Sequence, residues 1–325
     1  MKRIEPADFA ALVDLAMEDP ARRAMRPVVE KELLHFDILF ALDRERLLEG
    51  LTFQGGTSLR LCYGAPRFSE YLDFVGGTAF NSRDVSRIKT CIEDYVSQRY
   101  QLEVTVKQPK TLREDPRYAE VKVDKWQVAV TTAPARRDLA KQKIKLEIAN
   151  IPAYTRQARG LQLHYPFLPD GYADLLVLTE TMDEVMADKL VSLVNTRRYV
   201  RNRDIWDLQW LKQQGAQPDA TLVQKKLSDY RITDYVAKAE DLIERLPGII
   251  QGAAFQQEMQ RFLPADTLDR TLRNPRFADY LAPRTGKHFL AAHRCARRPE
   301  AGGTGSGILA VNAKTRRFRS SKSRC

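Results

Sequence analysis

The chain is 325 residues and 37.2 kDa, 43% hydrophobic, 29% charged and 9% aromatic, too long for a small stapled domain and too apolar for disorder. Four scattered cysteines, Cys62, Cys91, Cys295 and Cys325, show no CxxC spacing. They argue against a disulfide framework or thiolate zinc site and make a reducing cytoplasm the expected compartment. No apolar run approaches the roughly 18 residues of a membrane span, and residues 1–20 alternate charged and apolar types without a signal-peptide core. The formal net charge of +11 is local: residues 284–325 hold eleven Lys and Arg against one acid, Glu300, whereas residues 1–283 hold 42 basic and 41 acidic residues. The globular part is therefore close to neutral, and nucleic acid must be met by a local patch or by the tail. The AGGTGSG run at 301–307 and the basic residues after it predict a flexible extension over 298–325. Such a tail binds phosphate backbones without sequence choice, or is simply a solvated appendage.

Along the chain, apolar residues at helical spacing predict a leading helix over 27–49. A short strand, LTFQGG at 51–56, ends in paired glycines, and Thr57 opens a second helix from the capping position. Tyr71–Val75 reads as a strand and Ser82–Tyr100 as a helix. Leu102–Val106, Trp126–Thr132 and Ile144–Ile148 read as strands, the last with Lys143, Lys145 and Glu147 on its polar face. LLVLT at 175–179 closes the strands. Helical texture then runs almost to Pro283, through segments near 181–197, 203–214, 219–228, 231–245, 253–262 and 275–282. The predicted class is α+β: a mixed-sheet domain over 1–178, a helical domain over 179–297 and the basic tail.

A strand, two glycines and a helix place freed backbone N–H groups where a phosphate can sit, though many such turns carry glycines for geometry alone. The strand that follows adds chemistry. Positions 71 and 73 share one face, and carboxylates at both would hold a Mg²⁺ pair for phosphoryl transfer. Asp73 and Glu147 are present; position 71 is tyrosine.

The run FQGGTSLRLCYGAPRFSEYLDF at 53–74 resembles the AbiEii/MenT-type toxin nucleotidyltransferases of bacterial toxin–antitoxin and phage-defence systems, within the DNA polymerase β-like nucleotidyltransferase superfamily. The resemblance continues in KIKLEI at 143–148, DKLVSL at 188–193 and RNRDIWDLQWL at 201–211, and covers about residues 27–215 in order. It implies a polymerase β-like mixed-sheet domain followed by a helical one. It further implies that Gly55, Gly56, Thr57 and Ser58 cradle a nucleoside triphosphate, and that Asp73 is the second acid of the metal-binding pair. Glu147 would be the third carboxylate, Lys189 a cation for the triphosphate, and Asp204 (or, less favoured, Asp207) an acid completing the site. Ser69 matches a hydroxyl whose phosphorylation silences some members. The implied reaction moves a nucleoside monophosphate from an NTP to the 3′ end of an RNA acceptor, tRNA by expectation, with two Mg²⁺ ions, and so blocks translation. A cognate antitoxin encoded alongside is the implied partner.

One departure stands out. The family's Ser-Glu-Asp-Leu-Asp is here Ser69-Glu70-Tyr71-Leu72-Asp73. A neutral phenol is a poor ligand for Mg²⁺, and losing one ligand of a two-metal site costs on the order of a thousandfold in rate. Glu70 offers no rescue, since strand alternation turns it to the other face. The chain is thus a weakened or inactivated enzyme, or a non-catalytic relative that binds nucleotide or RNA. A binding protein driven by its basic tail is the third reading. Plain alternatives accompany each residue: Lys189 with Asp188 as an exposed helix pair, Asp204 and Asp207 with Arg201 and Arg203 as a surface salt-bridge network, and Trp206 with Trp210 as core. His288, His293 and Cys295 lack a fourth ligand for a metal.

Overall fold

A computed structural model describes residues 6–109, 123–136, 138–196 and 199–296; the tail predicted over 298–325 lies outside them. The helices are α1 (Phe9–Met17), α2 (Arg26–Arg44), α3 (Gly55–Tyr63), α4 (Ile88–Tyr100), α5 (Met182–Asn195), α6 (Asn202–Gln213), α7 (Ala220–Asp229), α8 (Tyr235–Gln251), α9 (Ala253–Phe262), α10 (Ala265–Arg270) and α11 (Phe277–Ala296). The strands are β1 (Thr52–Gln54), β2 (Tyr71–Val75), β3 (Val104–Lys107), β4 (Val123–Val130), β5 (Gln142–Ala149), β6 (Gln157–Gly160) and β7 (Leu176–Thr179).

All seven strands form one mixed sheet in the order β3-β4-β5-β2-β1-β7-β6, with β2–β5 and β1–β7 parallel and the other pairs antiparallel. Period-2 alternation sorts its faces. Leu72, Phe74, Trp126, Val128, Ile144, Leu146 and Ile148 turn inward to a core shared with α1, α2 and α4. The alternate positions, including Tyr71, Asp73, Lys145 and Glu147, turn to the opposite, polar face. After Thr179 the described chain is helical. Its own core includes Leu190, Ile205, Trp206, Leu208, Leu246, Phe255 and Phe289, joined by Leu59 of α3. Trp206 is thus core, with its ring against Phe277.

Three elements differ from expectation for identifiable reasons. The leading helix stops at Arg44 rather than 49, where Arg46 takes a left-handed φ of 58°. The helix expected from Ser82 begins at Ile88, after a run of turns. And α3 begins at Gly55, so Thr57 is inside it rather than its cap.

Candidate active site

The site begins at the junction of β1 and α3. Gly55 has φ +77°, and a Cβ built on it would lie 2.9 Å from Asp73 Oδ2. Glycine is thus required both by the left-handed backbone and by the closeness of the acid. Gly56 is required for another reason: a Cβ there would lie 2.3 Å from Arg67 Nη2 and 3.1 Å from Ser69 Oγ. The hydroxyls of the turn are buried and engaged inside the protein. Thr57 donates to the Tyr71 carbonyl, and Ser58 Oγ donates to the Gly55 carbonyl at 2.9 Å. The first bond ties α3 to β2 and the second closes within α3, leaving the first backbone N–H groups of α3 as the donors available to a phosphate. Ser69 is buried beside Gly56.

Register sets the acids. Asp73 pairs with Gln54 on one side and with Glu147 on the other, and Glu147 pairs with Lys125. Four side chains therefore stand in one row across the polar face. Lys125 Nζ lies 3.0 Å from Glu147 Oε1. Among the described residues, no hydrogen bond or ion pair reaches the Asp73 carboxylate. Burial, and then the neighbouring Glu147, raise its carboxyl to about 6, against the opposing pull of Arg201, Lys189 and Arg203.

The next row is different. Tyr71 pairs with Lys145, whose Nζ sits 4.8 Å from the tyrosine ring centroid. The Arg203 guanidinium is 5.8 Å from the same ring. Glu70 is committed elsewhere, to Lys31 and, at 3.6 Å, to Arg203.

Lys189 and the two aspartates of α6 are neither exposed nor independent. Lys189 Nζ reaches Asp204 Oδ1 at 2.8 Å and Asp207 Oδ2 at 2.7 Å, with the lysine side chain 6% exposed. Arg67 closes a fork on Asp207 with two bonds of 2.6 Å. Asp204 also accepts from Ser192 at 3.2 Å and lies 3.7 Å from Arg201. The exposed-pair and surface-network alternatives are thereby excluded. Burial alone would raise both aspartates, but the cations outweigh it: Asp207 falls to about 2 through Arg67 and Lys189, and Asp204 is lowered through Lys189 and Arg201. Asp207 is consequently the fully engaged brace, and Asp204 the acid nearer the open side.

The donor set decides what a divalent ion would find. Asp73 and Glu147, in register with one carboxylate unpaired, fit one Mg²⁺ ion; the position needed for a second holds a phenol with an ammonium on its ring, which does not fit. Two cavities, of about 210 Å³ beside Arg44 and Arg87 and about 590 Å³ beside Lys212 and His288, lie away from these residues.

A family model described as "Nucleotidyl transferase AbiEii toxin, Type IV TA system" matches residues 37–283. The chain belongs to the AbiEii nucleotidyltransferase toxin family. Among solved structures, the AbiEii chain is similar to MenT4, a nucleotidyltransferase toxin from Mycobacterium tuberculosis, at 17% identity and a TM-score of 0.53, over 88% of this chain and 90% of that one. JHP933 from Helicobacter pylori follows at 17% identity and a TM-score of 0.44, over 82% and 92%. No curated protein matches. The first likeness is one of fold: the mixed sheet followed by helices.

In this AbiEii chain, sequence reasoning missed Arg67, whose partner Asp207 lies 140 residues away, so no local pattern announces it. It also missed a buried acidic triad, Glu180, Glu184 and Asp188, whose carboxylate oxygens lie within 4.8 Å of one another. Lys226, fully buried, fills it with contacts of 3.0, 2.8 and 3.0 Å. Only Glu184 and Asp188 share a face of α5, at i, i+4; Glu180 lies before its Thr181 cap, so the sequence spacing alone does not define the triad. Burial and Asp188 push Glu180 well above the usual carboxylate range. His288 is buried on α11 and belongs to no cluster of three metal-ligating residues among those described; the side chains of His293 and Cys295 lie outside the described residues.

Proposed function

We propose that this AbiEii toxin is a weakened nucleotidyltransferase that moves a nucleoside monophosphate from an NTP to the 3′ end of an RNA acceptor, tRNA being the expected one, and so halts translation. The observation that carries this reading is the unpaired Asp73 carboxylate, held beside Glu147 by strand register and facing the Gly55–Gly56 turn. In the transfer, the acceptor's 3′-oxygen forms a bond to the α-phosphorus while the bond to pyrophosphate breaks. The hydroxyl proton passes to Asp73, whose carboxyl burial and the neighbouring Glu147 raise to about 6. Backbone N–H groups at the start of α3 receive the triphosphate, and Lys189, fixed by Asp204 and Asp207, supplies a positioned charge beside Asp73. Asp73 and Glu147 would hold a single Mg²⁺, which would supply charge neutralisation at the phosphates. A phosphoryl group on Ser69, whose Oγ lies beside Gly56, would crowd the turn. The expected partners are the NTP, the RNA acceptor and a cognate antitoxin. No described helix is long and apolar enough to cross a membrane.

A second reading, a non-catalytic nucleotide- or RNA-binding relative, is favoured by the phenol at position 71. One labelling assay separates the two. The protein and its Tyr71→Asp variant are each incubated with total tRNA, Mg²⁺ and each α-labelled NTP. Slow labelling by the parent, accelerated in the variant, is the expected result. Labelling by neither would remove the transferase reading and favour the binding one.

A further inference from the structure

Lys145, on the acid-bearing face, has no part in the nucleotidyl transfer proposed above. It stands on β5 two residues before Glu147, in register with Tyr71, and therefore on the same face as Asp73. Its ammonium rests 4.8 Å from the Tyr71 ring centroid, and no carboxylate among the described residues pairs with it. Three basic groups nearer the acids are committed: Lys125 to Glu147, Arg203 to Glu70 and Glu258, Lys189 to Asp204 and Asp207. A carboxylate at position 71 would take Lys145 as an ion pair. The phenol cannot; it offers only the negative face of its ring, which orients the ammonium and leaves its charge uncompensated.

Charge accounting gives this pair a role. A carboxylate carrying one divalent cation presents a single net positive charge to a phosphate, and a neutral phenol carrying an ammonium presents the same. We propose that Lys145, seated on Tyr71, is a phosphate-binding residue that takes the triphosphate of the nucleotide in place of a metal ion. The inference rests on the nucleotide reading given above and deepens it. Tyr71 and Lys145 act as one exchange: the ring removes the metal ligand, and the lysine restores the positive charge. Lysine suits this position because its compact ammonium donates in several directions to phosphate oxygens on a flexible stem. Only the phosphate-binding part of a metal's work is replaced, since an ammonium cannot activate the attacking hydroxyl. The substitution therefore preserves nucleotide binding more fully than turnover.

The test is binding, by titration calorimetry, of ATP and of inorganic tripolyphosphate to the full chain, in excess EDTA and in Mg²⁺. The parent is expected to bind both ligands in EDTA with affinity within about tenfold of that in Mg²⁺. Lys145→Gln, an exposed substitution whose melting temperature should match the parent's, is expected to weaken binding in EDTA by tenfold or more. Tyr71→Asp is expected to lose metal-free binding by pairing with Lys145 and to become Mg²⁺-dependent. Binding by the parent only in Mg²⁺ would overturn this inference and leave the nucleotide reading standing. Binding under neither condition would overturn both. Unchanged metal-free affinity in Lys145→Gln would show that other groups carry the triphosphate and would also overturn it.

Discussion

Replacing Asp207 by asparagine should separate bracing from chemistry in the cluster below the glycine turn. The carboxylate is 2% exposed and takes two bonds of 2.6 Å from Arg67 and one contact of 2.7 Å from Lys189. Asn keeps the shape and removes the charge, so a guanidinium that is itself 3% exposed loses its counter-ion. Breaking a buried pair on one side costs about 3–5 kcal/mol, and at roughly 2–4 °C per kcal/mol the melting temperature falls by on the order of 10 °C. Part of that cost is proton-linked. The folded carboxyl lies at about 2 against an ordinary value of 3.8, so its contribution of about 2 kcal/mol is complete above pH 4 and is lost as pH falls from 4 to 2. Parent and variant should therefore converge in acid. Asp204→Asn leaves Lys189 still bound to Asp207 and removes a carboxylate that is 11% exposed; its structural cost should be about 1–2 kcal/mol, with transfer activity down about a hundredfold. Circular-dichroism melts at pH 7 and pH 3, with the labelling assay, check both. An Asp207→Asn melt within 2 °C of the parent, or an Asp204→Asn protein less stable than Asp207→Asn, would refute the division of roles.

Lys226→Met strips three buried acids of their one cation and should cost at least about 3–5 kcal/mol; the emptied triad becomes a divalent-cation site, so millimolar Ca²⁺ should raise the variant's melting temperature by several degrees and leave the parent's unchanged. Asp73→Asn should stabilise the metal-free protein at pH 8, because a carboxyl raised to about 6 from 3.8 disfavours the fold once ionised, and the gain should shrink below pH 6 and vanish by about pH 3, where the carboxyl is neutral in folded and unfolded chain alike; a variant less stable than the parent at pH 8 would contradict the burial argument. Gly56→Ala would put a methyl group 2.3 Å from Arg67 Nη2 and lever it from Asp207, lowering stability by about 1–3 kcal/mol in the same melts.

The sheet's central strands and most of the helices were legible because their alternation and spacing are regular, and Asp73 and Glu147 sit together because two legible strands pair in register. β6, with the sequence Gln-Ala-Arg-Gly, has no apolar alternation; it exists as an edge strand paired to β7 alone. α1 is held by Asp8, which caps it, and by Phe9, Val13 and Ala16, a stripe too short to stand out in twenty mixed residues. Thr57 and Ser58 read equally well as ligand-binding or structural hydroxyls, and only their acceptors decide between these. Lys189 was legible as a residue but not in its setting, since two aspartates on the following helix and an arginine from the loop before β2 enclose it. Sequence separation hides such clusters: each member reads locally as an ordinary surface charge.

The fork between Arg67 and Asp207 has a consequence for the order in which the toxin is made. Gly56, Arg67 and Asp73 leave the ribosome well before α6 does, yet among the described residues the arginine that packs against the glycine turn pairs with a carboxylate only in α6. Until residue 207 has emerged and folded, the nascent polypeptide holds an unbraced turn beside an unpaired guanidinium. Bracing of the glycine turn is thereby deferred to late translation, and a prematurely terminated product carries Asp73 and Glu147 beside a turn whose arginine lacks its Asp207 partner.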